Sequence, residues 1–478
     1  MHNDLGNATL EIIKMTREKA VTLIEKYFED GEFERDLNRR VGYKTQSNDK
    51  KFQPELFSYL KKEMVPYLSK MGFKCEIHDN PCKDAGPILV AFRKENTNYP
   101  TVMTYGHGDV IDGYDGQWLD GINPWTITKK NDHWYGRGTA DNKAQHTVNL
   151  AALRAVINAR GKLGFNVVVL IEMAEERGSA GLREFCQTNK NLFEADVFIA
   201  SDGPRIQPDM PTIFMGSRGV LNFTMRLDVH KGGHHSGNWG GLLTNPGIVM
   251  AHAIASMVDR NGKILVEGWR NTDIPDAVRH AIAKLEVGDG SNAPAINPNW
   301  GEPDMTPEER VFASNTFEIR AYETGVPQSP ANAIPPSAVA YGHMRYVSGT
   351  DVNQLLPKLR IHLDKHGYNE IEIIADRDLM YATRLDPSHP WARWILESLS
   401  QTHGSDIAVI PNLGGSLPND VFAEVLGLPT IWVPHSYAGC SQHAPNEHIL
   451  EATTLSALRL MTGLWWDLGC GETPDRSA

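Results

Sequence analysis

The chain has 478 residues, and its 47 Lys and Arg residues against 59 Asp and Glu residues give a formal net charge of −12. Hydrophobic residues make up 41 % and charged residues 22 % of the sequence, which is typical of a folded protein and excludes a disordered or fibrous one. Because nucleic acid and anionic lipid are bound by clustered Lys and Arg, this acidic balance predicts no nucleic acid and no membrane as partners.

The cysteines and the N-terminal sequence indicate a compartment. Five cysteines lack the paired spacings of a disulfide framework or of a thiolate zinc site, which favours a reducing environment. The first residues carry charges within an apolar periodicity, which predicts an amphipathic helix and not a signal peptide. No run approaches the ~20 apolar residues that span a bilayer. We therefore expect a cytoplasmic protein.

The first 213 residues predict alternating helices and strands. Apolar residues at three- and four-residue spacing predict surface helices over residues 9–29 and 54–71. Strands are predicted at Ile88–Phe92, Thr101–Tyr105, Asn166–Met173 and Asp196–Asp202, with helices at Lys143–Ala159 and Ala180–Gln187 between them. Because strands and helices alternate, we expect an α/β fold with helices on both faces of a central mixed sheet.

A second pattern follows residue 213. The predicted elements are a strand at Val220–Val229, a helix at Asn245–Val258, strands at Thr316–Ala321 and Ser337–Tyr346, a helix at Asp351–His366 and a strand at Glu370–Ala375. This β-α-β-β-α-β order is typical of ferredoxin-like α+β domains. Gly- and Pro-rich sequence enlarges it between residues 261 and 307.

The α/β pattern returns from Leu385. Helices are predicted at Pro390–Ser400 and His448–Asp467, and strands at Ile407–Ile410 and Pro429–Val433. We therefore predict one α/β domain from residues 1–213 and 385–478, interrupted by an inserted domain over residues 214–384.

Asp, Glu and His residues gather at the ends of the predicted strands, where open α/β sheets place their ligands. His107 and Asp109 follow one strand, and two residues apart in extended chain they face the same side, so Asp109 could orient His107 on a metal. Surface His and Asp residues are common, so an isolated H-x-D motif by itself favours a structural role over a metal site. Asp141 follows a Gly-rich turn and could be only the N-cap of the next helix, although a carboxylate can also bridge two cations.

Adjacent carboxylates follow the most apolar strand at Glu175 and Glu176. They repel each other, which makes sense if one binds a cation and the other acts as a base on water. Asp202 ends the next strand, and His443 precedes the last helix. One imidazole and one carboxylate per ion, with a shared carboxylate, describe a co-catalytic site for two divalent ions. Such ligands suit Zn²⁺, Mn²⁺ or Co²⁺, of which we expect Zn²⁺.

The sequence resembles a family of di-metal exopeptidases and deacylases over nearly its whole length. The family includes carnosinases, bacterial dipeptidases, glutamate carboxypeptidase, aminoacylase-1, acetylornithine deacetylase and succinyl-diaminopimelate desuccinylase. The matching motifs are HGDV, GRGTADNK, EERGS, SDG, HHSG, NAIPPSA, GGSLP and HAPNE. The resemblance implies a catalytic domain of the zinc-exopeptidase type with an inserted lid or dimerisation domain.

The resemblance also implies roles for individual residues. His107 and Asp202 would bind one metal, Glu176 and His443 the other, and Asp141 would bridge them. Glu175 becomes the general base and acid, and Asp109 orients His107. His235 would reach the active site of the partner subunit in a homodimer and stabilise the oxyanion.

The substrate's free carboxylate is expected, from the resemblance, at Asn332, Arg345, Gly415 and Ser416. An arginine fork and backbone N–H groups suit a carboxylate. Without the resemblance, Arg345 could be a surface ion pair and the GGS sequence only a turn. In the family, Asp at the position of Asp202 is commoner in dipeptidases and aminopeptidases, which favours a dipeptide.

We therefore predict a metal-dependent hydrolase of a small carboxylate-bearing amide, a carnosinase-like dipeptidase. The alternative is an N-acyl-amino-acid deacylase with the same residues. A catalytically dead metal-binding scaffold is disfavoured, because every catalytic position of the family holds a competent residue.

Overall fold

The computed structural model describes residues 17–287, 295–376, 379–471 and 473–474. The part of the first predicted helix before residue 17 lies outside these residues, and the helix is present over 17–29. In the described part of the chain, no helix is both long enough and apolar enough to cross a bilayer.

Twelve strands form the two main sheets. In chain order they are β1 (Lys74–His78), β2 (Ile88–Arg93), β3 (Thr101–His107), β4 (Asn166–Glu172), β5 (Val197–Ala200), β6 (Thr212–Phe214), β7 (Gly219–Asp228), β8 (Thr316–Thr324), β9 (Ser337–Tyr346), β10 (Glu372–Ala375), β11 (Ala408–Ile410) and β12 (Thr430–Trp432). Shorter strands include Thr128–Lys130, His133–Tyr135 and His448–Leu450, which pair with one another.

The central sheet has eight strands in the order β1-β2-β4-β3-β5-β12-β6-β11. The strands β3, β4, β5 and β12 run parallel, whereas β1 and β2 pair antiparallel at one edge. The predicted mixed sheet is therefore confirmed. Every residue of β4 is buried, as expected for a strand that is covered on both faces.

Helices cover both faces of this sheet. The longer helices of the described chain, including α6 and α9 of the inserted part, are α1 (17–29), α2 (Glu32–Val41), α3 (53–70, with a π-helical stretch at Tyr59–Met64), α4 (Lys143–Arg160), α5 (Leu182–Thr188), α6 (Pro246–Met257), α7 (Asp276–Ile282), α8 (Pro307–Phe312), α9 (Val352–Lys365), α10 (Pro390–His403) and α11 (Glu451–Leu468). Alternate residues of β4 enter different cores: Val169 packs with α3, α4 and α11, and Val168 packs with α5 on the other face.

The inserted part forms the second sheet, with strands in the order β8-β9-β7-β10, all antiparallel to their neighbours. Numbered within this unit the order is 2-3-1-4, which is the ferredoxin-like arrangement. Its own core packs α6 and α9 on one face of the sheet, around Met250, Leu359 and Met344. The domain boundaries at 213/214 and 384/385 stay a prediction.

One feature of the inserted segment departs from a simple lid. Its helices α7 and α8 contribute Val278, Ile282 and Phe312 to the core on the second face of the central sheet, next to Phe214 and Ile410. The Gly- and Pro-rich enlargement of the ferredoxin-like unit therefore also covers the α/β sheet.

Candidate active site

Three strands of the central sheet end at one site. β3 ends at His107, β4 is followed by Glu175, and Asp202 lies two residues beyond β5. The carboxyl ends of parallel strands are where open α/β sheets bind ligands. The structure brings all five predicted metal ligands together here: His107, Asp141, Glu176, Asp202 and His443.

Asp141 lies between the two histidines. Its Oδ1 is 2.8 Å from Nε2 of His107, and its Oδ2 is 3.1 Å from Nε2 of His443. Nε2 of His443 also lies 2.9 Å from Oε2 of Glu176, and Nε2 of His107 lies 3.6 Å from Oδ2 of Asp202. The side chains form two groups that share Asp141, and in each group the candidate ligand atoms lie within 4.8 Å of one another.

The environment of Asp202 fits a bound cation. Its side chain is 3 % exposed, and among the described residues its Oδ2 has no hydrogen-bond partner. A buried carboxylate oxygen without a donor is costly, and a cation between Asp202, His107 and Asp141 would satisfy it. Imidazole and carboxylate donors without a thiolate suit Zn²⁺, Mn²⁺ or Co²⁺.

The crowded carboxylates also leave the site short of positive charge. Burial and then the charge of Asp141 raise the pKa of Glu176 to about 7 and the pKa of Asp202 to about 6. Hydrogen bonds with Asp141 and then with Glu176 raise the pKa of His443 to about 11. Protons on Glu176, Asp202 and His443 thus offset the negative charge of the crowded carboxylates. Divalent ions would take over this role and stabilise the deprotonated carboxylates.

Asp109 is hydrogen-bonded to both halves of the site. Its main-chain oxygen accepts a hydrogen bond from Nδ1 of His107 at 3.0 Å, and its carboxylate lies 3.4 Å from the same nitrogen. The carboxylate oxygens also accept hydrogen bonds from the main-chain N–H groups of Glu175 and Glu176, at 3.2 and 3.1 Å. Asp109 therefore orients the candidate base as well as His107, a connection that the sequence did not predict.

Glu175 begins a short 3₁₀ helix, Glu175–Arg177, and its Oε2 lies 4.0 Å from Nε2 of His107. Burial raises the pKa of Glu175 well above its ordinary value, and the carboxylates of Asp202 and Glu176 add to this effect against the opposing charge of His107. A carboxylate with a raised pKa beside paired metal ligands is suited to accept a proton near neutral pH.

Glu447 supports the candidate site, and the sequence marked it only as the last residue of the HAPNE motif. Its two carboxylate oxygens accept hydrogen bonds from the main-chain N–H groups of Gly138, Ala140 and Asp141 at 2.8–2.9 Å. Nη1 of Arg137 donates a further hydrogen bond to the same carboxylate at 2.6 Å. The φ angle of Gly138 is +87°, a conformation that favours glycine. Glu447 thereby fixes the turn that places Asp141.

Arg345 and Ser416 lie together at the junction of the inserted part and the α/β part. Nη1 of Arg345 donates to Oγ of Ser416 at 2.5 Å, and the Ser416 hydroxyl donates to the main-chain oxygen of Arg218 at 2.6 Å. Gly415 lies between Ser416 and Gly414, whose carbonyl oxygen accepts a hydrogen bond from Nε of Arg218 at 2.8 Å.

Arg218 adds a buried guanidinium beside the half-buried one of Arg345, and the sequence did not single it out. Burial and then the charge of Arg345 lower the pKa of Arg218 to about 10. Within the described residues, no acidic side chain forms an ion pair with either arginine. A buried and a half-buried cation side by side, without an acidic partner among the described residues, favour an anion such as a substrate carboxylate.

His235 and Asn332 lie elsewhere. Both are exposed on the inserted part, where Ser236 donates hydrogen bonds from its main-chain N–H and its hydroxyl to the main-chain oxygen of Asn332. No hydrogen bond or ion pair in the described parts of the chain joins His235 or Asn332 to the candidate metal ligands or to Arg345. The structure of one subunit therefore groups Asn332 with His235, apart from the other predicted substrate-binding residues.

Comparisons with known proteins agree with this geometry. The family model for peptidase family M20/M25/M40 matches residues 103–467. A human β-Ala-His dipeptidase is 29 % identical over 406 residues, which cover 80 % of this chain and 77 % of that protein. A Cys-Gly metallodipeptidase from Candida albicans is 26 % identical over 467 residues, which cover 89 % of this chain and 92 % of that protein.

The fold is also shared with a solved structure. The dipeptidase Dug1p from Saccharomyces cerevisiae superimposes with a TM-score of 0.78 at 19 % sequence identity. The match covers 96 % of this chain and 99 % of that chain, so it includes both sheets.

Proposed function

Because this chain belongs to peptidase family M20/M25/M40, we propose that it is a metal-dependent dipeptidase that cleaves the peptide bond next to a free C-terminal carboxylate. The single observation that carries the proposal is the pair of candidate ligand groups that share Asp141 and lie beside Glu175. The metallodipeptidase and β-Ala-His dipeptidase relatives support a dipeptide as the substrate.

We assign one divalent ion to His107, Asp141 and Asp202, and a second to Asp141, Glu176 and His443. We propose Zn²⁺ for both positions, and Mn²⁺ or Co²⁺ suits the same donors. When bound, such ions polarise the scissile carbonyl group and lower the pKa of a water molecule. The unpartnered Oδ2 of Asp202 supports this assignment.

Glu175 carries the proton in the proposed reaction. Its carboxylate accepts a proton from the attacking water, and it later returns that proton to the nitrogen of the leaving amino acid. The hydrogen bond between its main-chain N–H and Asp109 keeps Glu175 in place for both transfers. No other carboxylate is required, since one group can act as base and then as acid.

Arg345 is proposed to bind the C-terminal carboxylate of the dipeptide. The guanidinium lies at the junction of the two parts of the chain, and Ser416 and Gly415 belong to the α/β part. A carboxylate bound there would connect the inserted part to the part that holds the metal ligands, and so fix the peptide bond relative to Glu175. The buried and unpaired charge of Arg218 adds to the attraction for an anion.

We further propose a homodimer through the inserted part, in which His235 completes the partner's site and stabilises the oxyanion. His235 and Asn332 are exposed, and large apolar side chains of the inserted part are exposed as well. These side chains include Trp239, Leu242, Ile248, Tyr322 and Val326. Exposed large apolar side chains on the inserted part are candidates for the proposed subunit interface. All five cysteines are free thiols, which agrees with the proposed cytoplasmic location.

A substrate panel on metal-loaded protein tests the function. The panel contains cysteinylglycine, β-alanylhistidine, the C-terminal amides of both, and N-acetyl amino acids. A dipeptidase is expected to cleave at least one dipeptide and to prefer it to its amide. Cleavage of the N-acetyl amino acids alone would identify a deacylase, and no cleavage with both ions bound would contradict the proposal.

A further inference from the structure

The candidate carboxylate receptor includes a hydrogen-bonded histidine that the reaction described above does not use. Nε of Arg345 donates a hydrogen bond to Nε2 of His343 at 3.0 Å. Nδ1 of His343 lies 2.7 Å from Oδ1 of Asn222. Since Nε2 accepts a hydrogen bond, the imidazole carries its proton on Nδ1 and donates it to Asn222.

Strand geometry places these three residues together. His343 and Arg345 are two residues apart on β9 and face the same side, and both are half-buried between fully buried neighbours. Asn222 on β7 lies directly opposite His343 in the antiparallel register. The sheet therefore fixes the backbone positions of Asn222, His343 and Arg345 relative to one another.

The contacts of Arg345 decide which edge of its guanidinium remains available. His343 occupies Nε, and Ser416 accepts one hydrogen from Nη1. Within the described residues, no hydrogen bond involves Nη2, and no acidic side chain pairs with Arg345. The side edge formed by Nε and Nη2 is therefore blocked at Nε, whereas Nη2 keeps both of its hydrogens and Nη1 keeps one of its two for a carboxylate.

We propose that His343, held by Asn222, is a positioning residue that turns the guanidinium of Arg345 so that its Nη1–Nη2 edge binds the substrate carboxylate. This inference rests on the proposed function, because it assumes a substrate with a free carboxylate. His343 does not touch the reacting atoms and acts only through Arg345. Its loss is therefore expected to weaken the binding of carboxylate substrates more than the chemical step.

The charge state of His343 agrees with this role. Burial and then the charges of Arg345, Arg320 and Arg218 lower the pKa of His343 to about 4. A neutral imidazole can accept the hydrogen bond from Arg345, whereas an imidazolium could not. Glutamine has an amide oxygen and an amide N–H group in a similar arrangement, so it can replace both hydrogen bonds without an ionisable group.

The experiment measures kcat and KM of His343→Ala, His343→Gln and wild type on the best dipeptide of the panel and on its C-terminal amide. His343→Ala should raise KM for the dipeptide about tenfold, the size of one hydrogen bond to a charged group, with kcat changed by less than about threefold. The amide should be cleaved as by wild type. His343→Gln should restore most of the loss. Tyr341→Phe is the matched control, because Tyr341 faces the same side of β9 and has no contact with Arg345 among the hydrogen bonds of the described residues.

The outcomes separate this inference from the proposed function. A wild-type enzyme that cleaves acid and amide equally well would contradict the carboxylate receptor itself. A wild-type enzyme that prefers the acid, together with an unchanged KM in His343→Ala or equal losses on acid and amide, would overturn only the role of His343. If His343→Ala does not fold, Asn222→Ala gives the same test: a rise in KM of about threefold for the acid alone supports the inference, and an unchanged KM overturns it.

Discussion

The carboxylate of Asp109 accepts a hydrogen bond at 3.2 Å from the main-chain N–H group of Glu175. Asp109 thereby connects the proposed general base with His107 at the end of β3, because its main-chain oxygen accepts a hydrogen bond from Nδ1 of that histidine. The position of the proposed base and the orientation of a proposed metal ligand therefore depend on the same residue.

Replacement of this residue should affect both properties. Asp109→Asn keeps the size of the side chain, but only one of its terminal atoms can accept a hydrogen bond, so one N–H group of the Glu175–Glu176 turn loses its acceptor. We expect metal affinity to fall by about 10- to 100-fold and kcat to fall with metal saturated. Isothermal titration with Zn²⁺ and assays at saturating metal measure the two effects. Wild-type values for both would show that Asp109 only fills space.

Replacement of Glu175 and replacement of Glu176 should have different effects on turnover and on metal binding. Glu175→Gln retains size and polarity but cannot accept a proton, so kcat should fall by at least ~10²-fold while two ions remain bound. Glu176→Gln should weaken the binding of one ion, since Oε2 of Glu176 lies 2.9 Å from Nε2 of His443, the other proposed ligand of that ion. Metal content by mass spectrometry and kcat are measured on both variants, each serving as the control for the other. A Glu175→Gln enzyme with most of its activity would exclude Glu175 as the base.

The stabilisation by added metal should increase with pH. The pKa of Glu176 is raised to about 7 and that of Asp202 to about 6, whereas both are close to 4 in an unfolded chain. A carboxyl group with a raised pKa in the folded state stabilises the metal-free fold at low pH, and this contribution is lost as the pH rises from about 4 through the raised values. Divalent ions bind the deprotonated forms and compete with these protons.

Thermal unfolding with and without Zn²⁺ therefore gives a clear expectation. The increase in Tm on addition of Zn²⁺ should be several degrees larger at pH 8 than at pH 5, and Glu176→Gln should reduce this difference. An increase that is the same at both pH values in the wild type would mean that these carboxyl groups do not titrate in competition with metal.

The role of His235 can be tested by exchange of subunits. Glu175→Gln and His235→Ala are each expected to be inactive, but a hybrid dimer would contain one site with both native groups if His235 acts across the interface. Activity of up to about a quarter of the wild type should return when the two variants are mixed and exchanged. Trp239→Ala, which removes an exposed aromatic side chain four positions from His235, should reduce the recovery by weakening the proposed dimer. A strictly monomeric enzyme with full activity would contradict the arrangement.

The sequence predicted much of the fold and the grouping of the ligands. The alternation of apolar runs placed β3, β4 and β5 within a few residues, because buried strands need continuous apolar segments. His107, Asp141 and His443 are distant in sequence, and the sheet alone brings the strand ends together. Asp141 and His443 could be named from the residues as candidates, but their assignment to the bridging position and to the second ion came from the resemblance to a known family.

Other relationships could not be predicted, because they depend on side-chain directions and on packing between distant segments. The hydrogen bonds of Glu447 to the turn at Gly138 join residues 309 positions apart, and no local pattern marks them. The packing of α7 and α8 on the central sheet could not be predicted, because the two helices are short and lie in or beside Gly- and Pro-rich sequence. The contact between His343 and Arg345 follows from strand alternation, but its hydrogen bond required the structure.

The most direct test of the central claim is a metal titration of chelator-treated protein, with the hydrolysis of a dipeptide as the readout. The bound metal and the rate are measured in the same samples, and Glu175→Gln is the control for metal binding without turnover. Because two groups of candidate ligands share Asp141, we expect cleavage of the peptide bond to begin when two Zn²⁺ ions are bound per chain. Full dipeptidase activity in protein that holds no metal, or two bound ions with no cleavage of any dipeptide, would contradict a two-metal dipeptidase.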